Sequence, residues 1–384
     1  MLTTRGVRAG LLVAFAVVWL QGCSRAEDAP PGAGQTPPQP DPEGTAYYTE
    51  ADFASVAKRD THVHINTSDP AFLQQAKEDN FSVITINVDA PHYPAIDEQQ
   101  GTALAQAAAF PDRVAFAATI SLERFLSPQW ADDTVARLTD AFARGAVAVK
   151  FWKNIGMELK GADGGFVMID DAKFDPVLAV IVRNKATMIG HNGEPKNCWL
   201  PLGEMTTNND RAYYKEHPEY HMFQHPDYPS YEQQIAARDR MLARHPDLTF
   251  VGAHLGSLEW STDELAKRLD QFPHMAVDMA ARMGHLQYQT RLDREKVRRF
   301  FVQYQDRLVY GTDQAIGTKR EPAAVRERAH DIWTRDWRFL ATGDTLRSPD
   351  VDGAFKGLQL PRTVVDKIYR ANAERWFPRL KGTR

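Results

Sequence analysis

From Lys58 onward the chain alternates two patterns. Short runs of β-branched and apolar residues are separated by longer stretches whose apolar positions recur at helical spacing. The runs predict strands at 59–65 (RDTHVHI), 81–88 (FSVITINV), 113–120 (RVAFAATI), 146–152 (AVAVKFW), 186–191 (ATMIGH), 248–254 (LTFVGAH), 274–279 (HMAVDM) and 307–312 (RLVYGT). Between them helices are predicted at about 70–80, 97–109, 130–144, 173–184, 231–245, 260–271 and 293–304, with a last one over 361–376. Strict alternation makes a parallel sheet, and eight units over roughly 330 residues is the count of an α/β protein built as a (β/α)8 TIM barrel. An open doubly wound sheet is the alternative, but no GxGxxG follows the first strand. Two connections are long: 192–230 after strand five, with Trp199, Tyr213, Tyr214, Tyr220, Phe223 and Tyr228, and 314–360 after strand eight, with Trp333 and Trp337. Both leave from the end of the barrel that carries chemistry. The expectation is a lid with an aromatic wall, suited to a cyclic or aromatic substrate.

The segment before Lys58 follows neither pattern. Arg5 and Arg8 precede an apolar run from Ala9 to Leu20, shorter than the roughly 20 residues a bilayer span needs and of secretory-signal length. It ends in Leu20-Gln21-Gly22-Cys23, which resembles the bacterial lipobox. The resemblance implies a signal peptide over 1–22, lipidation of Cys23, export, and anchoring to a membrane. Ser24 points to the outer membrane if the source is Gram-negative, with the protein on its periplasmic or cell-surface side. A tether over 23–46 follows, with Pro30, Pro31, Pro37, Pro38, Pro40 and Pro42 and scarcely an apolar residue. The barrel domain is expected over 47–384.

Composition narrows the classes. Of 384 residues, 43% are hydrophobic and 25% charged, which excludes a disordered or polytopic membrane chain. Lys+Arg total 46 against 50 Asp+Glu, so no basic excess argues for nucleic acid. Cys23 and Cys198 are the two cysteines, and lipidation of the first leaves no disulfide to form. Nothing here sets the oligomeric state.

The polar residues fall where such a barrel does its chemistry, at the C-terminal strand ends. Strand one ends in His62-Val63-His64, and alternation puts both imidazoles on one face. Strand four holds Lys150, strands five and six end at His191 and His254, and strand eight runs into Asp313. That order resembles the amidohydrolase superfamily, in its amidohydrolase-related branch of metal-dependent hydrolases and decarboxylases. The motifs are DTHVHI, VGAHLG, VYGTD and KIYRANAERWF, and the likeness covers about 58–378.

The resemblance implies that His62, His64, His191 and Asp313 surround one divalent ion with a bound water, zinc by default, manganese or iron on the same ligands. Such an ion lowers the pKa of its water to about 7. Asp313 would take the proton as general base, and His254 would polarise the substrate or shuttle a proton. Lys150 has two readings. Carboxylated, it would bridge two ions, with His62, His64 and Asp313 on one and His191 and His254 on the other. Otherwise it pairs with Asp313 or grips a substrate carboxylate, and one ion is preferred. Arg282 is the candidate for a substrate carboxylate, or an ordinary solvated arginine, and Trp152 is a second substrate contact. Asp278 is placed to support a ligand histidine. His217, His221 and His225 are four apart, but Pro218 and Pro226 break that helix, so a loop is expected rather than a metal site.

The functional expectation is a metal-dependent hydrolase that uses metal-activated water on an ester, lactone or amide of a small molecule. Non-oxidative decarboxylation is the alternative, with Asp313 protonating a ring carbon. A non-catalytic surface-binding lipoprotein would have been supported by a missing ligand, and none is missing.

Overall fold

The structure, a computed structural model, describes residues 44–382. The expected signal, Cys23 and most of the tether lie outside the described residues. Among the described residues no helix is long and apolar enough to cross a membrane.

All eight predicted strands form, each but the first shorter than its apolar run. They are β1 Lys58–Ile65, β2 Phe81–Ile86, β3 Val114–Thr119, β4 Ala148–Phe151, β5 Thr187–Gly190, β6 Phe250–Gly252, β7 Met275–Asp278 and β8 Leu308–Val309. A ninth, β9 Gln314–Ile316, completes one parallel sheet in the order β8-β7-β6-β5-β4-β3-β2-β1-β9. β8 lies within the predicted eighth strand, and β9, past its expected end at 312 in what was expected to be the second connection, continues it as a second half. The first half pairs with β7 and the second with β1, so the sheet curls back on itself. Between the halves, Tyr310 O accepts from Thr61 N–H at 3.0 Å and Asp313 N–H donates to His62 O at 2.7 Å. A Cβ on Gly311 would lie 2.9 Å from His62 Cβ, so the kink needs glycine to pass this close to β1.

Side-chain alternation sorts the strands into two apolar layers. Val63, Val83, Phe116, Val149, Met188, Phe250, Met275 and Leu308 pack against the helical shell. Ile84, Ala117, Ile189, Val251, Ala276 and Val309 fill the interior with Trp376 and Phe377, which plug its lower end. The closing helix is not uniform: Lys367–Ala371 widens into a π turn between Arg362–Asp366 and Asn372–Trp376. The turn has a use, because Ile368 O accepts from Tyr310 N–H at 3.1 Å, which strand pairing leaves over at the kink.

The long connections are more ordered than loops. The first holds the helix Asn208–Glu216 among short 3₁₀ turns. The second holds the helix Pro322–Ala341 and a hairpin, β10 Thr345–Ser348 with β11 Val351–Lys356. They meet where Asn208 N–H donates to Asp350 O at 2.8 Å. The aromatic wall expected from the second connection is corrected here. Trp333 and Trp337 are wholly buried in the core, because Val325, Ala329, Trp333 and Trp337 recur every four residues and form one apolar stripe. Trp333 stacks on Phe81 at 4.4 Å, and its Nε1–H donates to Asp60 Oδ2 at 3.0 Å.

One turn of the same helix buries Asp336, whose only hydrogen bond comes from the Tyr310 hydroxyl at 2.9 Å, leaving Oδ1 without a partner. Burial pushes its carboxyl up to about 7, against the ordinary 3.8. The folded state therefore holds this proton more tightly than the unfolded chain, and the stability it lends is lost as pH rises from about 4 through 7. In urea unfolding across pH 5 to 8, Asp336→Asn should gain on the wild type progressively, by about 1–3 kcal/mol at pH 8. A difference that does not grow with pH would contradict this.

Candidate metal centre

The inward positions at the upper strand ends carry the polar side chains. Val63 and Ile65 belong to the outer layer, so His62 and His64 face inward; Lys150 lies likewise between Val149 and Phe151. What the sequence does not show is how the rings are turned. His62 donates Nδ1–H to Asp278 Oδ2 at 2.8 Å, His64 to Ile86 O at 2.7 Å, and His254 to Ala280 O at 2.9 Å. Carbonyl and carboxylate oxygens only accept, so these partners set the tautomer and leave each Nε2 with its lone pair.

Those lone pairs converge. His64 Nε2 is 3.1 Å and His62 Nε2 3.4 Å from Asp313 Oδ1. One ligand atom from each of His62, His254 and Asp313 lies within 4.8 Å of the others. The His191 ring stands 4.2 Å from that of His254, and its buried Nε2 has no hydrogen-bond partner. Burial, the first cause in each case, holds His62, His191 and His254 below the ordinary imidazole range, in the neutral form that ligates metals. Bare imidazole nitrogens facing a carboxylate repel unless a positive charge lies among them. The donor set of nitrogens and one carboxylate fits a divalent cation.

Lys150 belongs to the same cluster. Its Nζ is 3.2 Å from His62 Nε2, and burial lowers it to about 8, against the pull of Asp278 and Asp313. The expected support from Asp278 is present and reaches further than one ring. Its Oδ1 accepts from the backbone N–H of His254 at 2.8 Å and of Ala280 at 3.1 Å. Burial opposes its ionisation, yet His62 first, with His254 and Lys150, brings it down to about 2. It thereby secures an unusual segment: His254, Leu255, Gly256 and Ser257 all have φ between +56° and +61°. Left-handed backbone costs an ordinary residue about 1–2 kcal/mol. Asp313, at φ +65°, adds another such residue at the cluster.

Above the cluster lies a cavity of about 360 Å³ lined by His64, Lys150, His191, His254 and Asp313. Trp152 and Arg282 line it too, as do Tyr213 and Tyr214 from the first long connection. Trp199, Tyr220, Phe223 and Tyr228 do not. Arg282 is buried, not solvated, and its Nε has no partner. Among the lining residues missed from sequence are Lys153 and Glu194. They form a buried ion pair in which burial pushes the ammonium down and Glu194 more than offsets it, raising Lys153 to about 12. Each stands three residues past a strand-end residue, Lys150 or His191, just beyond where the strand-end rule looks. His217, His221 and His225 bond separately to Glu219, Leu200 O and Pro218 O, as a loop does.

With this geometry in view, comparisons place the chain among known proteins. A family model described as "Amidohydrolase" matches residues 59–379. Among solved structures the chain is similar to 2,6-dihydroxybenzoate decarboxylase from Rhizobium, at 14% identity and TM-score 0.49, covering 84% of this chain and 98% of that one. It is similar to 4-oxalomesaconate hydratase from Rhodopseudomonas palustris, at 12% and 0.46, covering 85% and 97%. A third is 5-carboxyvanillate decarboxylase from Novosphingobium aromaticivorans, with bound manganese, at 12% and 0.43, covering 85% and 98%. No curated protein matches.

Two measurements check the centre. Metal analysis of the purified chain should find about one divalent ion per chain, and none in His62→Ala/His64→Ala. Asp278→Asn should fold yet bind the ion 10–100-fold more weakly, as the loss of a ligand's supporting carboxylate does. Wild-type metal content in either variant would contradict the assignment.

Proposed function

The chain belongs to the amidohydrolase family, whose members are typically metal-dependent enzymes, and from that premise we propose that it is a metal-dependent hydrolase of small molecules. The reading is carried by one observation: the bare Nε2 atoms of His62, His64 and His254 converge with the Asp313 carboxylate beneath a cavity. His62, His64, His191 and Asp313 would hold the ion, with zinc favoured by the nitrogen-rich set. When bound, the ion supplies a water of lowered pKa and polarises a carbonyl group.

The chain's own residues do the rest. Against the opposing effect of burial, Asp313 is held well below the ordinary carboxylate range by the histidines around it. An ionised carboxylate enters the cycle as a base that takes a proton from water at its oxygen. His254 reaches the cavity with Nε2 free, where it accepts or returns that proton. Tyr213 and Trp152 give a flat wall, and the Lys153–Glu194 pair fixes the loop ends behind it. An ester, lactone or amide of a cyclic or aromatic compound suits this cavity.

A specific observation favours a second reading. Arg282 lines the same cavity with its buried Nε unpartnered, the position of a clamp for a substrate carboxylate. Non-oxidative decarboxylation would use it, with Asp313 returning a proton to the ring carbon. Outside the described residues, the lipobox-like Leu20–Cys23 supports export and a lipid anchor at Cys23. Mass analysis of the mature N-terminus tests that.

Turnover should be assayed on a panel of aryl esters, lactones and amides, alongside release of carbon dioxide from hydroxybenzoates. His254→Ala and Asp313→Asn should keep the wild-type fold by circular dichroism and lose about 10²–10⁴-fold in kcat. Unchanged activity in both would sink the mechanism. Carbon dioxide release without ester or amide cleavage would select the second reading.

A further inference from the structure

A second cavity, of about 410 Å³, opens beside the first, and nothing in the proposed chemistry uses it. His92 and Tyr93 line both, so the two are divided by one aromatic wall. Gln314 and Ala315, the residues directly after Asp313, form its inner end. Its floor is apolar, from Phe72, Ile316 and Val325. At its outer end stand Lys319, Arg320 and Arg328, and no acidic side chain lines it anywhere.

Two features set it apart from an ordinary basic surface. The Gln314 side chain is more than nine-tenths buried, and its amide nitrogen has no hydrogen-bond partner. A buried donor left unsatisfied costs about 1–3 kcal/mol, which a ligand acceptor would relieve. Arg328, furthermore, is exposed at the rim and faces the charges of Arg320 and Arg335. Like charges gathered without a counter-ion over an apolar floor favour an occupant that is itself anionic.

We propose that this second cavity binds the apolar, carboxylate-bearing end of an amphipathic small molecule. The apolar body lies on Phe72, Ile316 and Val325, the carboxylate meets Arg320 and Arg328, and an acceptor atom nearer Asp313 takes the Gln314 amide N–H. As the distal part of a substrate, it would place the scissile group across the His92–Tyr93 wall. That role rests on the reading of the first cavity as the reaction centre; occupancy of the second does not.

The test is therefore a binding measurement that needs no turnover. Isothermal titration of the full chain uses 4-phenylbutyrate, with 4-phenylbutanol as its uncharged counterpart. The acid should bind about tenfold or more tightly than the alcohol, and Arg320→Glu/Arg328→Glu should remove that preference. Gln314→Leu should weaken the acid several-fold, whereas Arg282→Gln, in the first cavity, should leave it unchanged. Equal binding of acid and alcohol, or indifference to the charge reversal, would overturn the inference. So would a loss of binding in Arg282→Gln, which would place the anion in the catalytic cavity instead. Inactive enzyme that still shows the charge preference would refute the hydrolase reading and leave this one standing.

Discussion

One buried carboxylate, that of Asp278, sets the terms for everything around it. It sits at the end of β7 with no access to water, so it stays ionised only if protein donors replace the solvent. Three do: the ring of His62 on one oxygen, and the backbone N–H groups of His254 and Ala280 on the other. The first bond turns the His62 Nε2 toward Asp313. The second holds the left-handed run after β6, which carries the His254 ring inward. A single group thus orients one histidine by its side chain and another by its main chain, from opposite sides of the barrel mouth. The strain of four consecutive left-handed residues is tolerable because a charged acceptor anchors the first of them.

Asp60 plays the matching part under β1 and the eighth strand. Its Oδ1 accepts from the backbone of His62 and Thr312, and its Oδ2 from the Thr312 hydroxyl and the Trp333 indole. The kink that presents Asp313 is therefore tied to the outer helix Pro322–Ala341 as well as to the neighbouring strand. The helix built from the second long connection is part of what positions the centre. Deleting it would loosen Asp313 without touching any residue that lines the first cavity.

This explains which features could be read from the chain. The strand count, the alternation and the residues at the strand ends are carried by local periodicity, and every strand-end residue named from sequence reached the cluster or its cavity. The turns of the rings were not legible, because they depend on carbonyl and carboxylate partners far away in the chain: Ile86 for His64, Asp278 for His62. The left-handed run at His254 was hidden for a similar reason, since only Gly256 among its residues advertises positive φ. Trp333 and Trp337 misled because they follow the last barrel strand in a segment taken for a loop. Their spacing from Val325 and Ala329 is helical, so the same periodicity that marks the barrel helices continues past strand eight. The division of that strand into β8 and β9 depends on Thr61 and Ile368 claiming the backbone of Tyr310, which no local pattern encodes.

The distribution of charge suggests how a substrate would lie. In the first cavity the cations have protein acids close by: Lys153 pairs with Glu194, and against burial Asp210 and Glu259 hold Arg282 up. Their field is spent largely within the protein, so they orient a ligand more than they attract one. Beyond the His92–Tyr93 wall the balance is reversed, with cations at the rim and no lining acid. A long-range field in low dielectric acts before contact does and draws the charged end of a molecule to the outer cavity. The uncharged, reactive end is then the part left to cross the aromatic wall. There the aligned lone pairs and Asp313 exclude a second anion unless Arg282 and an ion receive it. On the proposed hydrolase reading, a molecule charged at one end and carrying an ester or amide at the other would meet each cavity with the group that cavity can accept.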